Sequence, residues 1–96
     1  MKIRVKGFFS IANAMEKSGE MEIEVGNLTI REVLTELSCR YGKTFKDEVF
    51  DSETNKVFPQ NQILINGRHY RYLANGLDTK LSEGDMLSIF PLVAGG

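Results

Sequence analysis

The sequence is poor in cysteine, proline and tryptophan, with one Cys, two Pro and no Trp. A single thiol, Cys39, excludes a disulfide framework within the chain and any metal site built on several thiolates. An iron–sulfur protein of the ferredoxin type is excluded on the same ground, because its cluster takes four cysteine ligands. The single histidine, His69, has no second ligand residue at suitable spacing. We therefore expect neither a metal site nor a cofactor.

Neither one sign of charge nor a long apolar run dominates the chain. Twelve Lys and Arg balance 13 Asp and Glu, so no global basic field exists to attract nucleic acid. No apolar run approaches the roughly 18 residues of a membrane span, and the first thirty residues lack a signal-peptide pattern. None of the common nucleotide-binding or zinc motifs occurs, so any nucleotide must be brought by a partner. With 96 residues, we expect one small cytoplasmic domain that is not itself an enzyme.

Two segments near the N-terminus alternate between apolar and charged residues, which predicts two β-strands. The charged face is basic in the first segment, residues 2–6, and acidic in the second, residues 20–24. Opposite charges on neighbouring strands favour an antiparallel hairpin. Gly7 interrupts the first alternation just before Phe8 and Phe9, which indicates a bulge or the strand end. Lys2, Arg4 and Lys6 form a basic row on the first strand. We interpret this row as a solvated face balanced by the glutamates; the alternative is that it steers an acidic partner towards the protein.

A helix is predicted to begin at Thr29, because Thr29-x-x-Glu32 forms a capping box. Apolar residues then recur at helical spacing up to Tyr41, and Gly42 is expected as the left-handed residue that ends the helix. Cys39 lies beside the apolar stripe, and we expect it to be a buried or half-buried structural thiol. Residues 44–61 are harder to assign: their apolar side chains suggest a short helical turn followed by a polar turn.

The C-terminal third predicts further strands. Residues 63–65 form a short strand, Asn66-Gly67 is a hairpin signal, and residues 70–74 are expected to continue beyond the turn. A last strand over residues 86–90 is stopped by Pro91, which has no N–H for the sheet. This order predicts an α+β protein with the β-grasp roll, a mixed sheet of four to five strands crossed by one main helix, with the last strand beside the first. The predicted core comprises Ile3, Val5, Ile23, Val33, Leu37, Ile65 and Ile89.

The last six residues, PLVAGG, read as a flexible tail (91–96) attached to the domain formed by residues 1–90. Gly95 and Gly96 lack Cβ atoms and could pass through a channel too narrow for other residues. A terminal carboxylate is ionised at neutral pH and can attack an activated phosphate. The tail thus indicates a carboxylate that is activated with ATP as an acyl-adenylate. The alternative is a plain interaction module whose Gly-Gly is incidental.

The chain resembles the MoaD/ThiS family of ubiquitin-like sulfur carriers, most of all the small archaeal modifier proteins and archaeal molybdopterin synthase small subunits. The similarity covers nearly the whole chain and is strongest in the segments INGR (65–68), GLDTKL (76–81), EGD (83–85) and IFPLVAGG (89–96). One departure concerns Pro91-Leu92, where molybdopterin subunits usually have Pro-Pro. It weakens a molybdopterin assignment without affecting the chemistry of the tail.

The resemblance implies that an E1-like adenylating enzyme, which itself binds ATP, activates the C-terminal glycine. The product would become a thiocarboxylate for sulfur transfer, or would be joined by an isopeptide bond to lysines of target proteins. The large subunit of molybdopterin synthase is a further implied partner; nucleic acid and membranes are not expected as partners. Activation or conjugation is assigned to Gly96 with Gly95, and partner binding to Phe90, Leu92, Val93, Ala94 and His69.

Overall fold

The computed structural model describes residues 1–15 and 19–91. Strands β1 (Lys2–Gly7) and β2 (Glu20–Glu24) flank a short helix, α1 (Ser10–Ala14). Helices α2 (Ile30–Tyr41) and α3 (Lys43–Val49) follow, then strands β3 (Gln62–Ile65) and β4 (Arg68–His69). Two 3₁₀ turns, Tyr70–Tyr72 and Gly76–Asp78, lead to the last strand, β5 (Met86–Phe90).

The strands form one mixed sheet in the order β2-β1-β5-β3-β4. The first and last strands pair in parallel at the centre, and the other neighbouring strands are antiparallel. Helix α2 lies on the apolar face of this sheet, and its inward residues join the core. All seven predicted core residues are buried. The β-grasp prediction, including the central position of the last strand, is confirmed.

The predicted hairpin of β1 and β2 is also confirmed. Its register places each basic residue of β1 opposite a glutamate of β2, as in the pair Arg4 and Glu22. The Arg4 guanidinium forms an ion pair with Glu20, and the N-terminal amine lies 3.2 Å from a Glu24 carboxylate oxygen. Exposed pairs of this kind contribute at most about 1 kcal/mol each. The contacts agree with the interpretation of the basic row as a solvated face balanced by the glutamates.

The capping box of α2 is formed as predicted. The Glu32 N–H donates to the Thr29 hydroxyl, and the Thr29 N–H donates to the Glu32 carboxylate at 2.9 Å. The Thr29 N–H, which donates to the ionised carboxylate, and secondly the Thr29 hydroxyl lower the pKa of Glu32 below its ordinary value. We expect Thr29→Ala to reduce the free energy of unfolding by about 1 kcal/mol, because an orphan backbone donor loses its partner. Urea unfolding of both proteins would test this, and an unchanged midpoint would contradict it.

Two expectations about local structure were wrong, and a third was right only in part. Residues 70–72 form a 3₁₀ turn rather than a strand, because His69 caps the turn and the Leu73 N–H bonds the Tyr70 carbonyl at 2.9 Å. Gly42 ends α2 with the positive φ expected, 81°, but its ψ of −160° is not that of a left-handed helical residue, and α3 begins directly after it. Cys39 is exposed rather than buried, because it lies about 200° around α2 from the buried Leu37.

Candidate functional site

The candidate site lies at the edge of the sheet where the C-terminal tail begins. Since β1 and β5 run in parallel, both end at this edge, with Gly7 opposite Ile89. Strand β5 ends at Phe90, as predicted from Pro91, and Pro91 itself is buried. The tail is therefore attached to the central strand of the sheet. The predicted site residues Leu92, Val93, Ala94, Gly95 and Gly96 lie outside the described part of the chain.

Phe90 lies on the face of the sheet opposite the helices. Its neighbours Leu87 and Ile89 are fully buried on the helix side, whereas Phe90 is half-buried, as expected from the alternation of strand faces. Its ring stacks on that of Phe8, with centroids 3.9 Å apart and planes inclined by 7°. We call Phe8 and Phe90 the phenylalanine pair. It forms an apolar, partly accessible surface immediately before the tail.

A basic group accompanies the phenylalanine pair. The Lys6 ammonium lies 5.2 Å from the centroid of the Phe8 ring, within the range of a cation–π interaction. Strand pairing places Lys6 beside Ser88, and on the other side of Phe90 it places Gln62. The surface before the tail therefore combines two aromatic rings with a cation and a neutral amide. This combination suits a protein partner with an apolar centre and a polar rim.

His69 lies on the same outer face, two strands away from Phe90. It pairs with Leu64, which in turn pairs with Ser88 of the central strand. The backbone of His69 therefore lies about 10 Å from the central strand, measured across the sheet. The His69 Nδ1 accepts the Arg71 N–H at 3.1 Å, and the imidazole stacks on Tyr70 with centroids 4.6 Å apart. Desolvation by burial, followed by the charge of Arg71, lowers the pKa of His69 below its ordinary value. The ring is thus mainly neutral at pH 7, with its proton on Nε2.

The structure brings Phe90 and His69 to one face but does not place them in contact. Sequence reasoning missed Phe8, because the break at Gly7 hid which face the following residue would occupy. A usable signal was present: if the first and last strands pair in parallel and end together, the residue after Gly7 lies beside Phe90. Gly7 itself admits close packing of α1, since a Cβ there would lie 2.7 Å from Ile11 Cγ2, and 2.6 Å from Sδ of Met15 directly after the helix.

The described residues offer little scope for chemistry of their own. In residues 1–15 and 19–91, no group of three or more His, Cys, Asp or Glu side chains could hold a metal ion. No helix in the same ranges is long and apolar enough to cross a membrane. What the site presents is a partly accessible aromatic surface next to a segment that ends in Gly95-Gly96.

The chain is similar in sequence and in fold to several known proteins. A protein of Archaeoglobus fulgidus with the provisional name of sulfur carrier protein is 38% identical over 78 residues, covering 81% of this chain and 85% of the relative. Small archaeal modifier protein 3 of Haloferax volcanii is 38% identical over 68 residues, covering 71% and 70% of the two chains. The solution structure of small archaeal modifier protein 1 from Methanosarcina acetivorans superimposes with a TM-score of 0.83 at 29% identity, over 99% of this chain and 96% of that one.

The model of the ThiS family matches residues 11–96, a range that holds most of the domain and the whole tail. Together with the relatives above, this match identifies the protein as a non-catalytic carrier or modifier rather than an enzyme. The chain belongs to the ThiS family of ubiquitin-like sulfur carriers and modifiers.

Proposed function

We propose that the carboxylate of Gly96 is the reactive group of this protein, and that an E1-like enzyme activates it with ATP. The observation that carries the proposal is the family match, which extends through Gly95-Gly96 on a domain whose central strand leads into the tail. The enzyme supplies the nucleotide site, since the sequence holds no nucleotide-binding motif. The protein supplies a docking surface and a carboxylate.

The proposed activation is one nucleophilic displacement. A Gly96 carboxylate oxygen attacks the α-phosphorus of ATP, the bond to the β-phosphate breaks, and pyrophosphate leaves. The product is a mixed anhydride in which AMP is a good leaving group. The same intermediate serves two outcomes, so sulfur delivery and protein conjugation need not exclude each other.

In the first outcome, hydrosulfide or a persulfide plus a thiol reductant delivers sulfur to the acyl carbon. A carbon–sulfur bond forms and AMP leaves; hydrosulfide gives the thiocarboxylate of Gly96 directly. A persulfide first gives an acyl disulfide, whose sulfur–sulfur bond the thiol then cleaves, so that the thiocarboxylate is released and the thiol ends in a disulfide. In the second, the neutral amine of a target lysine attacks the same carbon, AMP leaves, and a proton is lost to give an isopeptide bond. Molybdopterin synthesis is one use of the first outcome, with the synthase large subunit as partner.

We propose that the phenylalanine pair is the docking surface for the activating enzyme. Phe90 is the anchor, Phe8 supports it by stacking, and His69 lies at the rim of the same face. Leu92, Val93 and Ala94 would extend from this surface into the channel of the enzyme, with Gly95-Gly96 at its narrowest part. Aromatic anchors surrounded by polar groups are the usual energetic centre of protein interfaces.

Intact mass spectrometry tests the proposed function. The protein is incubated with the adenylating enzyme of its own organism, ATP and hydrosulfide. We expect a mass gain equal to the exchange of one oxygen for one sulfur, located by fragmentation at Gly96. In a separate incubation with cell protein, followed by proteolysis that cuts directly before Gly95, Gly-Gly remnants on target lysines would show conjugation. If neither product forms and no pyrophosphate is released, the C-terminus is not the reactive group.

Phe90→Ala is expected to weaken binding to the adenylating enzyme by about 1–3 kcal/mol. The fold should lose only about 1 kcal/mol, because Phe90 is half-buried and mainly gives up its stacking on Phe8. Calorimetric titration and a melting curve measure the two effects on the same sample. A loss of several kcal/mol in the free energy of unfolding would identify Phe90 as a core residue and remove it from the docking surface.

A further inference from the structure

Phe9 occupies a backbone conformation that normally belongs to glycine. The Ile11 N–H donates to the Phe8 carbonyl at 3.1 Å, which closes a four-residue turn with Phe9 at its first central position. There Phe9 has φ of 55° and ψ of −125°, the values of a type II′ turn. Glycine dominates this position because any Cβ is strained there. The sequence nevertheless has a large aromatic side chain at this position of the turn.

The Phe9 side chain is also poorly packed in the fold. It is 66% exposed, one of the two large hydrophobic residues that stand out from the surface of the described residues. An exposed phenyl group on a strained backbone is unfavourable in the isolated domain on both counts. Glycine would form the same turn and allow α1 to begin at the same residue, so the start of the helix does not require Phe9.

The position of Phe9 indicates what the ring is for. It directly follows Phe8, whose ring stacks on Phe90, at the sheet edge where the parallel strands β1 and β5 both end. The turn thus places the backbone of Phe9, with its phenyl group exposed, directly after Phe8 at the edge where the tail begins. Any protein that takes up the tail must approach this edge.

We propose that Phe9 is a binding residue for the enzyme that activates the tail, held outward by the strained turn so that the enzyme buries it. The proposal rests on the function proposed above. It assigns Phe9 to the contact with the enzyme and not to the core of the domain. The strain is then a feature of the free protein that favours binding, because the ring is already in place when the enzyme arrives.

Phe9→Gly tests the proposal, because it removes the ring and relieves the turn at once. Pyrophosphate exchange is measured with the adenylating enzyme of the same organism and ATP, with the concentration of the carrier varied. We expect KM for the carrier to rise by about tenfold while kcat changes little, since the ring serves binding and not the chemistry. The melting temperature should stay equal or rise, because a strained residue has been replaced by one that fits.

Two further variants make the result specific. Asn55→Gly replaces another residue of positive φ, 60°, in an exposed loop between Phe50 and Val57 that does not pair with the sheet strands, and should leave KM unchanged. Phe9→Leu keeps an apolar side chain at the turn and should recover most of the lost affinity. If Phe9→Gly has the KM of the natural chain, Phe9 is not a contact and the inference is overturned while the proposed function stands.

The remaining outcomes are equally decisive. A melting temperature that falls clearly in Phe9→Gly would show that the ring holds the fold, which also overturns the inference. A fall in kcat with unchanged KM would assign Phe9 to the chemical step and contradict its role as a docking contact. Absence of pyrophosphate exchange with the natural chain would instead reject the proposed function itself.

Discussion

Deleting Gly96, or replacing Gly95 with Val, is expected to abolish adenylation of the chain. Deletion moves the carboxylate back by about 3.5 Å, whereas a misplacement of 1 Å can already cost roughly a hundredfold in rate. Val at position 95 adds a branched side chain where we propose that the enzyme channel admits only backbone. Pyrophosphate exchange and AMP release with the adenylating enzyme measure the effect.

The melting temperature of each variant is the control, because it shows whether the domain is still folded. Neither change touches the buried core of the described residues, so the melting temperature should stay within about 2 °C of that of the natural chain. Adding free Gly-Gly dipeptide should not restore activity, because the carboxylate must be attached to the docking surface. If the shortened chain is adenylated like the parent, a plain interaction module becomes the better account of the protein.

Much of the fold could be predicted because local and global signals agree. The alternating segments of β1 and β2 carry opposite charges, so periodicity and electrostatics predict the same hairpin. The capping box fixes the start of α2, and Pro91 fixes the end of β5. Each of these signals depends on residues close together in the sequence. That is why their boundaries were predicted nearly to the residue.

The site was less predictable, since it depends on contacts between distant segments. The stacking of Phe8 on Phe90 joins residues at opposite ends of the chain and follows only from the parallel pairing of β1 with β5. The turn at Phe9 contradicts local preference, which would place glycine there. Cys39 was predicted to be buried because it lies close in sequence to the apolar stripe of the helix. Its direction around the helix axis points away from that stripe, and the side chain is exposed.

Residues 44–61 were the least legible part of the sequence, yet they supply core residues. Helix α3 packs against α1 and α2, and Phe45 on α3 is completely buried, with its ring centroid 5.9 Å from that of Tyr41. Val49 and Val57 from the same segment are buried as well. The segment is therefore part of the hydrophobic core and not an appended loop, which leads to a strong prediction for stability.

Phe45→Ala is expected to lower the free energy of unfolding by about 3–5 kcal/mol, through lost apolar burial and the cavity that remains. The free energy of unfolding of a small domain is only about 5–15 kcal/mol, so this loss would remove a large share of it. The melting temperature should fall by roughly 15–30 °C. Tyr72→Ala, which truncates an aromatic side chain that is 74% exposed, is the matched control and should shift stability by less than about 0.5 kcal/mol. Thermal and urea unfolding of both variants measure the difference. Similar values for the two would mean that α3 packs only peripherally, and the core would then be limited to the sheet and α2.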